Sequence, residues 1–391
     1  MNSPINISFV NTDLRERNKT ECFITTGDQE RSITMAAYII IIITALTGNF
    51  LVSLIIYKNK KMRTSANYFI LNMSFSDILF VLILMPRRIF ELFADVRGWL
   101  VEGLAGEISC KLVYYIQDIT VAVSIQSIVV LAVDRFVAVM YPIRAGAIMS
   151  RARHFIIPLT WLFGMVLHAP YFYTFKLITK SDGQTKCDYT WTPHFDHIET
   201  ERIYSITIFI FLSVIPVSLI TILYATIVVK LNRRKVPPGE LSISKREQLR
   251  YRQRQNSKVS RMVVAVVIVF VLVWTPYNVY IFLIVFVGTA SCRLTTLHLV
   301  ATLIGYFYPV VNPIIYFIFS ENYRRGIKNI FRRGIHDKEI YRQTGISRKT
   351  FYGRFESFNQ KLSQDQNGSP RMQFYRSCNH ETSSQQDTEI N

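Results

Sequence analysis

Asp77 and Asp118 are carboxylates that interrupt long apolar runs, Thr64–Pro86 and Leu112–Val133. A bare carboxylate in a bilayer is expensive and more often marks function than packing. Asp134 directly precedes Arg135 and is its visible ionic partner. His168 and His298 are the other ionisable interruptions, and they suit packing or an interfacial place better than a proton relay. Pro216, Pro276 and Pro313 each remove a backbone hydrogen bond from a helix and permit a kink. Trp274 lies two residues before Pro276. The chemistry on offer is therefore charge, hydrogen bonding and bending. The clustered His or acid ligands of a membrane hydrolase do not appear, and no enzyme activity is expected.

The elements that hold these residues are membrane helices. The apolar residues come in blocks, with the charges between them, although the 391-residue chain carries a formal charge of +18. Ile33–Tyr57, Phe155–Phe175, Ile203–Val229, Met262–Cys292 and Leu294–Ser320 are free of Asp, Glu and Lys, and of Arg apart from the Arg293 that separates the last two. With the two aspartate-bearing runs they make seven spans. Each is long enough for the ~20 residues that cross a ~30 Å hydrocarbon layer, and each must be helical to satisfy its backbone. An all-α membrane protein follows: a seven-helix bundle over 33–320 behind a tail over 1–32. Residues 321–333 follow as an amphipathic helix on the membrane surface, with Tyr323, Ile327, Ile330 and Phe331 at helical spacing. The polar stretch 334–391 reads as a disordered tail.

Lys58, Lys60, Lys61, Arg63, Arg144, Arg151, Arg153 and the basic stretch Lys230–Arg261 share one side. The positive-inside rule makes that side cytoplasmic, and a plasma-membrane protein with its N-terminus outside is expected. Asn6 and Asn18 head glycosylation acceptors in keeping with that. The basic excess reads as attraction to anionic membrane lipid, with no nucleic-acid partner expected. The absence of internal repeats and of a line of ionisable residues counts against the alternative of a transporter.

Each span carries a motif: Gly48-Asn49, Asn72 through Asp77, Asp134-Arg135-Phe136, Trp161, Pro216 with Tyr224, Phe270-x-x-x-Trp274-x-Pro276, and Asn312-Pro313-Ile314-Ile315-Tyr316. One per helix and in order, they resemble the rhodopsin-like (class A) G-protein-coupled receptors over Ile33 to Phe331, closest in character to neuropeptide receptors. The resemblance implies a receptor that opens its inner face to a heterotrimeric G protein by outward movement of the sixth helix about Pro276. Asp134, Arg135, Tyr224, Ile125, Pro216, Phe270, Trp274, Asn312, Pro313 and Tyr316 would carry that change. It also implies a Cys110–Cys187 disulfide over the mouth; Cys22 with Cys292 is a looser pairing. Asp77, with Asn49, Ser124 and Asn312 as candidate partners, matches the family's sodium cluster. Tyr308 and Pro309 stand where the family usually has small polar residues, so a hydrated or protonated Asp77 is the alternative to an allosteric sodium ion. Many members restrain the arginine with an acid where this chain has Asn256, so ligand-independent signalling is expected.

Gln117 lies seven residues below Cys110, where amine receptors of this kind carry an aspartate and many neuropeptide receptors a glutamine. It reads either as a contact for a peptide amide or as a hydrogen bond within the bundle. Asp118, Arg88, Tyr277, Tyr306 and Trp274 complete the expected pocket. Acids and tyrosines around the mouth suit a basic peptide better than a lipid; a small non-peptide ligand is the alternative within the same fold. The seventh span has no lysine for a retinal Schiff base. Receptor kinase and arrestin are expected at tail residues such as Ser347, Thr350 and Ser357, once phosphorylated.

Overall fold

A computed structural model describes residues 28–93, 98–179, 185–233, 243–287, 292–330 and 332. The spans are Asp28–Lys58, Ser65–Phe93, Gly103–Met140, Ala145–His168, His197–Phe209 continued by Ile215–Arg233, Ile243–Phe282, and Cys292–Tyr306 continued by Tyr308–Phe319. Six helices are long and apolar enough to cross a membrane, and the bent pair of the last span makes the seventh. The first helix starts at Asp28, inside the stretch read as tail, and the sixth starts well before Met262. Hydropathy marks where a helix meets lipid, but its backbone bonds run on into polar sequence.

The third span is the axis of the bundle and packs against spans two, four, five and six. Cys110, Ser124 and Asp134 are among its buried residues. Phe50, Phe155, Leu159, Ile222 and Leu272 are exposed on the outer surface of the bundle. Apolar side chains there face acyl chains at no hydrophobic cost.

Two proline-bearing spans, the fifth and the seventh, depart from a single α-helix. In the seventh, the helix breaks at Phe307 and its halves meet at 41°. Pro309 supplies no N–H to the Gly305 carbonyl, and its ring crowds that carbonyl. Pro313 in turn leaves the Pro309 carbonyl free, and Asn49 Nδ2 donates to it at 2.9 Å. Gly48 permits that approach, because a Cβ there would lie 2.9 Å from Pro313 Cβ. The Gly48-Asn49 pair is thus shaped to the broken helix. In the fifth span a π-helical turn, Ile210–Val214, precedes Pro216.

Two strands, β1 (Phe175–Thr179) and β2 (Thr185–Tyr189), form an antiparallel hairpin between spans four and five, with Leu177 opposite Cys187. The all-helical reading did not foresee this hairpin. Beyond Ser320 the chain is helical again over 321–330. Tyr323 is buried and donates to Asn67 at 3.0 Å. Gly326 is needed there, since a Cβ would sit 2.5 Å from Ile55 Cγ2. Asn6, Asn18, Cys22, the side chains of Cys292 and Asn256, and the tail after 332 lie outside the described residues.

Candidate functional site

At the Cys110 end, a Cys110–Cys187 disulfide with Cα atoms 5.6 Å apart ties β2 to the third span. Cys187 and Tyr189 lie on one face of β2, since side chains two apart share a face. Tyr189 Oη donates to Glu201 at 2.6 Å and Trp191 Nε1 to the same oxygen at 2.9 Å. Ser205 Oγ donates to the other Glu201 oxygen at 3.2 Å. Burial, then the neighbouring Glu201 carboxylate, raise the Tyr189 pKa far above the ordinary tyrosine value, so its hydroxyl stays a donor.

Asp118 sits one layer deeper. Tyr171 Oη donates to it at 2.6 Å and Gln117 Nε2 at 3.2 Å. Successive helical residues point about 100° apart, yet the glutamine amide bends round to reach its neighbour. Gln117 Oε1 is left buried and without a hydrogen-bond partner among the described residues. Tyr171 also packs against Phe175, Tyr189, Tyr204 and His168. His168 is 2% exposed, with Nδ1 3.3 Å from Tyr204 Oη. Among the described residues, neither Asp118 nor Glu201 forms an ion pair.

The other expected pocket residues line the opposite wall. Arg88 Nε donates to Tyr306 Oη at 2.9 Å. Tyr306 is buried against Tyr38 and Phe80. Tyr277 meets Trp274 edge-on at 6.0 Å. Arg87, not singled out by its sequence context, lies over Trp99 at 4.2 Å and Tyr114 at 4.8 Å.

In the centre, Trp274 rings with Phe270 at 6.3 Å, and both meet Tyr308, at 6.4 and 5.8 Å. Asp77 is 2% exposed and accepts from Ser124 Oγ and Asn312 Nδ2, both at 2.9 Å. Ser124 is linked onward to Ser76 at 2.7 Å. Asn49, expected beside Asp77, turns instead to Pro309 O and Ala45 O. Between Asp77, Ser124, Trp274 and Tyr308 lies a void of about 10 Å³, at the lower limit of what one water needs. A hard cation wants about six oxygen ligands. Its lining offers the Asp77 carboxylate, the Ser124, Thr120 and Tyr308 hydroxyls and Gly305, whose carbonyl Pro309 leaves without a helical donor, while Phe80, Val121, Trp274 and Pro309 wall the rest. Much of the lining is aromatic or aliphatic and offers a cation no ligand.

At the Arg135 end, Arg135 binds Asp134 through Nε at 3.0 Å and through a second guanidinium nitrogen. Asp134 is buried, as are Ile125, Phe270 and Tyr224. Tyr224 Oη has no hydrogen-bond partner among the described residues, and neither has Trp274 Nε1. Tyr316 is fully buried, stacks on Tyr323 at 5.8 Å, and donates to Met73 Sδ at 3.8 Å.

The family model for the 7 transmembrane receptor (rhodopsin family) matches residues 48–316. The chain belongs to the rhodopsin family of seven-transmembrane receptors. The receptor is 28% identical to neuropeptide FF receptor 1 of Rattus norvegicus, with 76% of this chain and 70% of that one aligned. It is 27% identical to galanin receptor 2a of Danio rerio (80% and 82%) and 29% identical to neuropeptide Y receptor type 1 of Xenopus laevis (75% and 79%).

Sequence reasoning missed Tyr171 and Tyr204 as elements of the site. The one available signal was the spacing of Tyr171, Tyr173 and Phe175 just past the fourth span, which continues into β1. It also missed Met73, which looks like any core methionine until two tyrosines are seen to converge on it.

Proposed function

We propose that this receptor binds an extracellular peptide carrying a basic side chain and passes the signal to a heterotrimeric G protein. The observation that carries the reading is the pair Asp118 and Glu201 at the Cys110 end. Both carboxylates are partly buried, and their hydrogen-bond partners are hydroxyls, an amide and an indole, all neutral. A charge withdrawn from water with only neutral partners gains from an incoming opposite charge. The surrounding tyrosines and Trp191 offer a peptide apolar surface with polar tips. Two of the three relatives named above are neuropeptide receptors by their names, and the third a galanin receptor, which supports a peptide ligand.

The Cys110 end then faces outside and the basic loops face the cytoplasm. Pressure on Trp274 swings the inner half of the sixth helix about Pro276. That motion opens the inner face around Arg135, whose ionic partner among the described residues is Asp134, and the sixth span carries Asn256 in place of a restraining acid, so a basal signal accompanies the ligand-driven one. Kinase and arrestin act on the serine-bearing tail, and membrane lipid holds the basic loops. Screening a peptide library on cells expressing the receptor, with calcium and cyclic AMP readouts, tests the reading. Agonists should be basic peptides whose potency falls about tenfold or more for Asp118→Asn, as expected for loss of a charged hydrogen bond. Activation by neutral lipids alone would overturn it.

A further inference from the structure

We infer that Tyr308 occupies, with its own ring and hydroxyl, the space in which an ion would accompany Asp77, so that side chains hold the resting receptor and sodium does not. The inference rests on the receptor reading for the choice of ion, but not on any ligand or G protein.

Three observations converge on it. Tyr308 is 3% exposed, and its hydroxyl neighbours Asn312 and Ser124, the same two groups that donate to Asp77. The void that remains has room for one water at most and is walled largely by aromatic and aliphatic side chains. Tyr308 opens the helix that follows the break at Phe307, directly before Pro309, and is buried there.

Tyr308 also links regions that an ion would leave separate. Its ring meets both Phe270 and Trp274, and its hydroxyl donates to Met73 Sδ at 3.8 Å. Tyr316 donates to the same sulfur from the other side at 3.8 Å. A displacement of Trp274 therefore reaches Tyr316 through Tyr308 and Met73, four residues in contact. Tyr308 is a positioning residue in this scheme: it acts on Tyr316 through Met73.

Thermal unfolding of the purified full-length receptor in sodium chloride and in choline chloride, at equal ionic strength, tests the inference without a ligand. A cation that binds only the folded state raises the midpoint by mass action. The wild-type receptor should unfold within about 1 °C in the two salts. Tyr308→Asn clears the space and adds an amide oxygen, and should unfold about 2–4 °C higher in sodium, the shift expected when sodium is present at several times its dissociation constant. Tyr308→Phe keeps the ring and should be as indifferent as the wild type. A sodium-specific rise of several degrees in the wild type overturns the inference. A Tyr308→Asn receptor that folds and remains indifferent overturns the role given to Tyr308. Should Tyr308→Asn fail to fold, the wild-type comparison and Tyr308→Phe decide.

Discussion

Tyr189 and Tyr308 are both buried tyrosines, yet the one at the Cys110 end donates to a carboxylate at 2.6 Å and the one at the centre donates to a thioether at 3.8 Å. Their surroundings differ in the same way. Around Tyr189, Glu201 takes three donors, Asp118 two, and a disulfide pins the strand. Around Tyr308, Trp274 Nε1 has no partner among the described residues, Tyr316 shares the Met73 sulfur, and Asp77 accepts from Ser124 and Asn312 only. Charge-assisted hydrogen bonds are about twice as strong as neutral ones, and sulfur is a weak acceptor. The mouth is built as a fixed platform, and the aromatic column of Trp274, Phe270, Tyr308 and Tyr316 beneath it as something that can repack at small cost beside the bonded Asp77. A receptor needs both, a surface that keeps its shape for a ligand and a core with a second arrangement near in energy.

The hardest way to break this contrast is to cut the platform loose. Cys110→Ala removes a link closing 77 residues. Loss of such a link typically costs roughly 2–5 kcal/mol. The purified receptor should unfold several degrees lower, and surface labelling of cells should fall. Unchanged stability would mean that the aromatic cluster alone holds the hairpin, and the platform would then owe nothing to the disulfide.

Next is Asn49→Ala, which tests whether the column is held from outside itself. The Pro309 carbonyl, freed by Pro313, would lose its donor at 2.9 Å. A buried acceptor left unsatisfied costs about 1–3 kcal/mol. Thermal unfolding should show that loss. No change would mean that the break in the seventh span is supported elsewhere.

Most of this architecture could be read from the residues, and what could not was missing for physical reasons. Hydropathy and motif order placed seven spans, and the resemblance paired Cys110 with Cys187. Asp77 was matched to Ser124 and Asn312, but Asn49 was placed beside it when it serves Pro309. A list of polar residues does not say which orphaned carbonyl each will find, because that depends on where proline breaks a neighbouring helix. The hairpin Phe175–Tyr189 was invisible for another reason: five-residue strands of mixed polarity show too little alternation to stand out beside membrane helices. Helix ends were misplaced because lipid contact, not helicity, sets the hydropathy edge.

Glu201 offers a finer cut within the platform. Glu201→Gln keeps an oxygen acceptor for Tyr189 and Trp191 and removes only the charge. Glu201→Ala leaves both donors buried without their acceptor. The alanine variant should lose about 1–2 kcal/mol of stability and the glutamine variant clearly less, as read from unfolding midpoints. Agonist potency should separate from stability: a basic ligand should weaken in both variants, because both lack the charge. Equal stability in the two variants would mean that these hydrogen bonds do not fix the mouth.

The smallest expected effect is the most diagnostic for the column. Tyr224 Oη is buried with no hydrogen-bond partner among the described residues. Removing a buried, unsatisfied hydroxyl relieves its desolvation cost. Tyr224→Phe should therefore leave the resting receptor as stable as before or more so, by up to ~1 kcal/mol. An ordinary structural tyrosine would lose stability instead. If the hydroxyl finds its partner only after the sixth helix has moved, the same variant should depress ligand-independent signalling about fivefold at unchanged surface level, the ratio that ~1 kcal/mol implies. A stable Tyr224→Phe receptor with full basal output would show that this hydroxyl is not held in reserve for the second arrangement. The contrast between platform and column would then rest on Trp274, Tyr308 and Tyr316 alone.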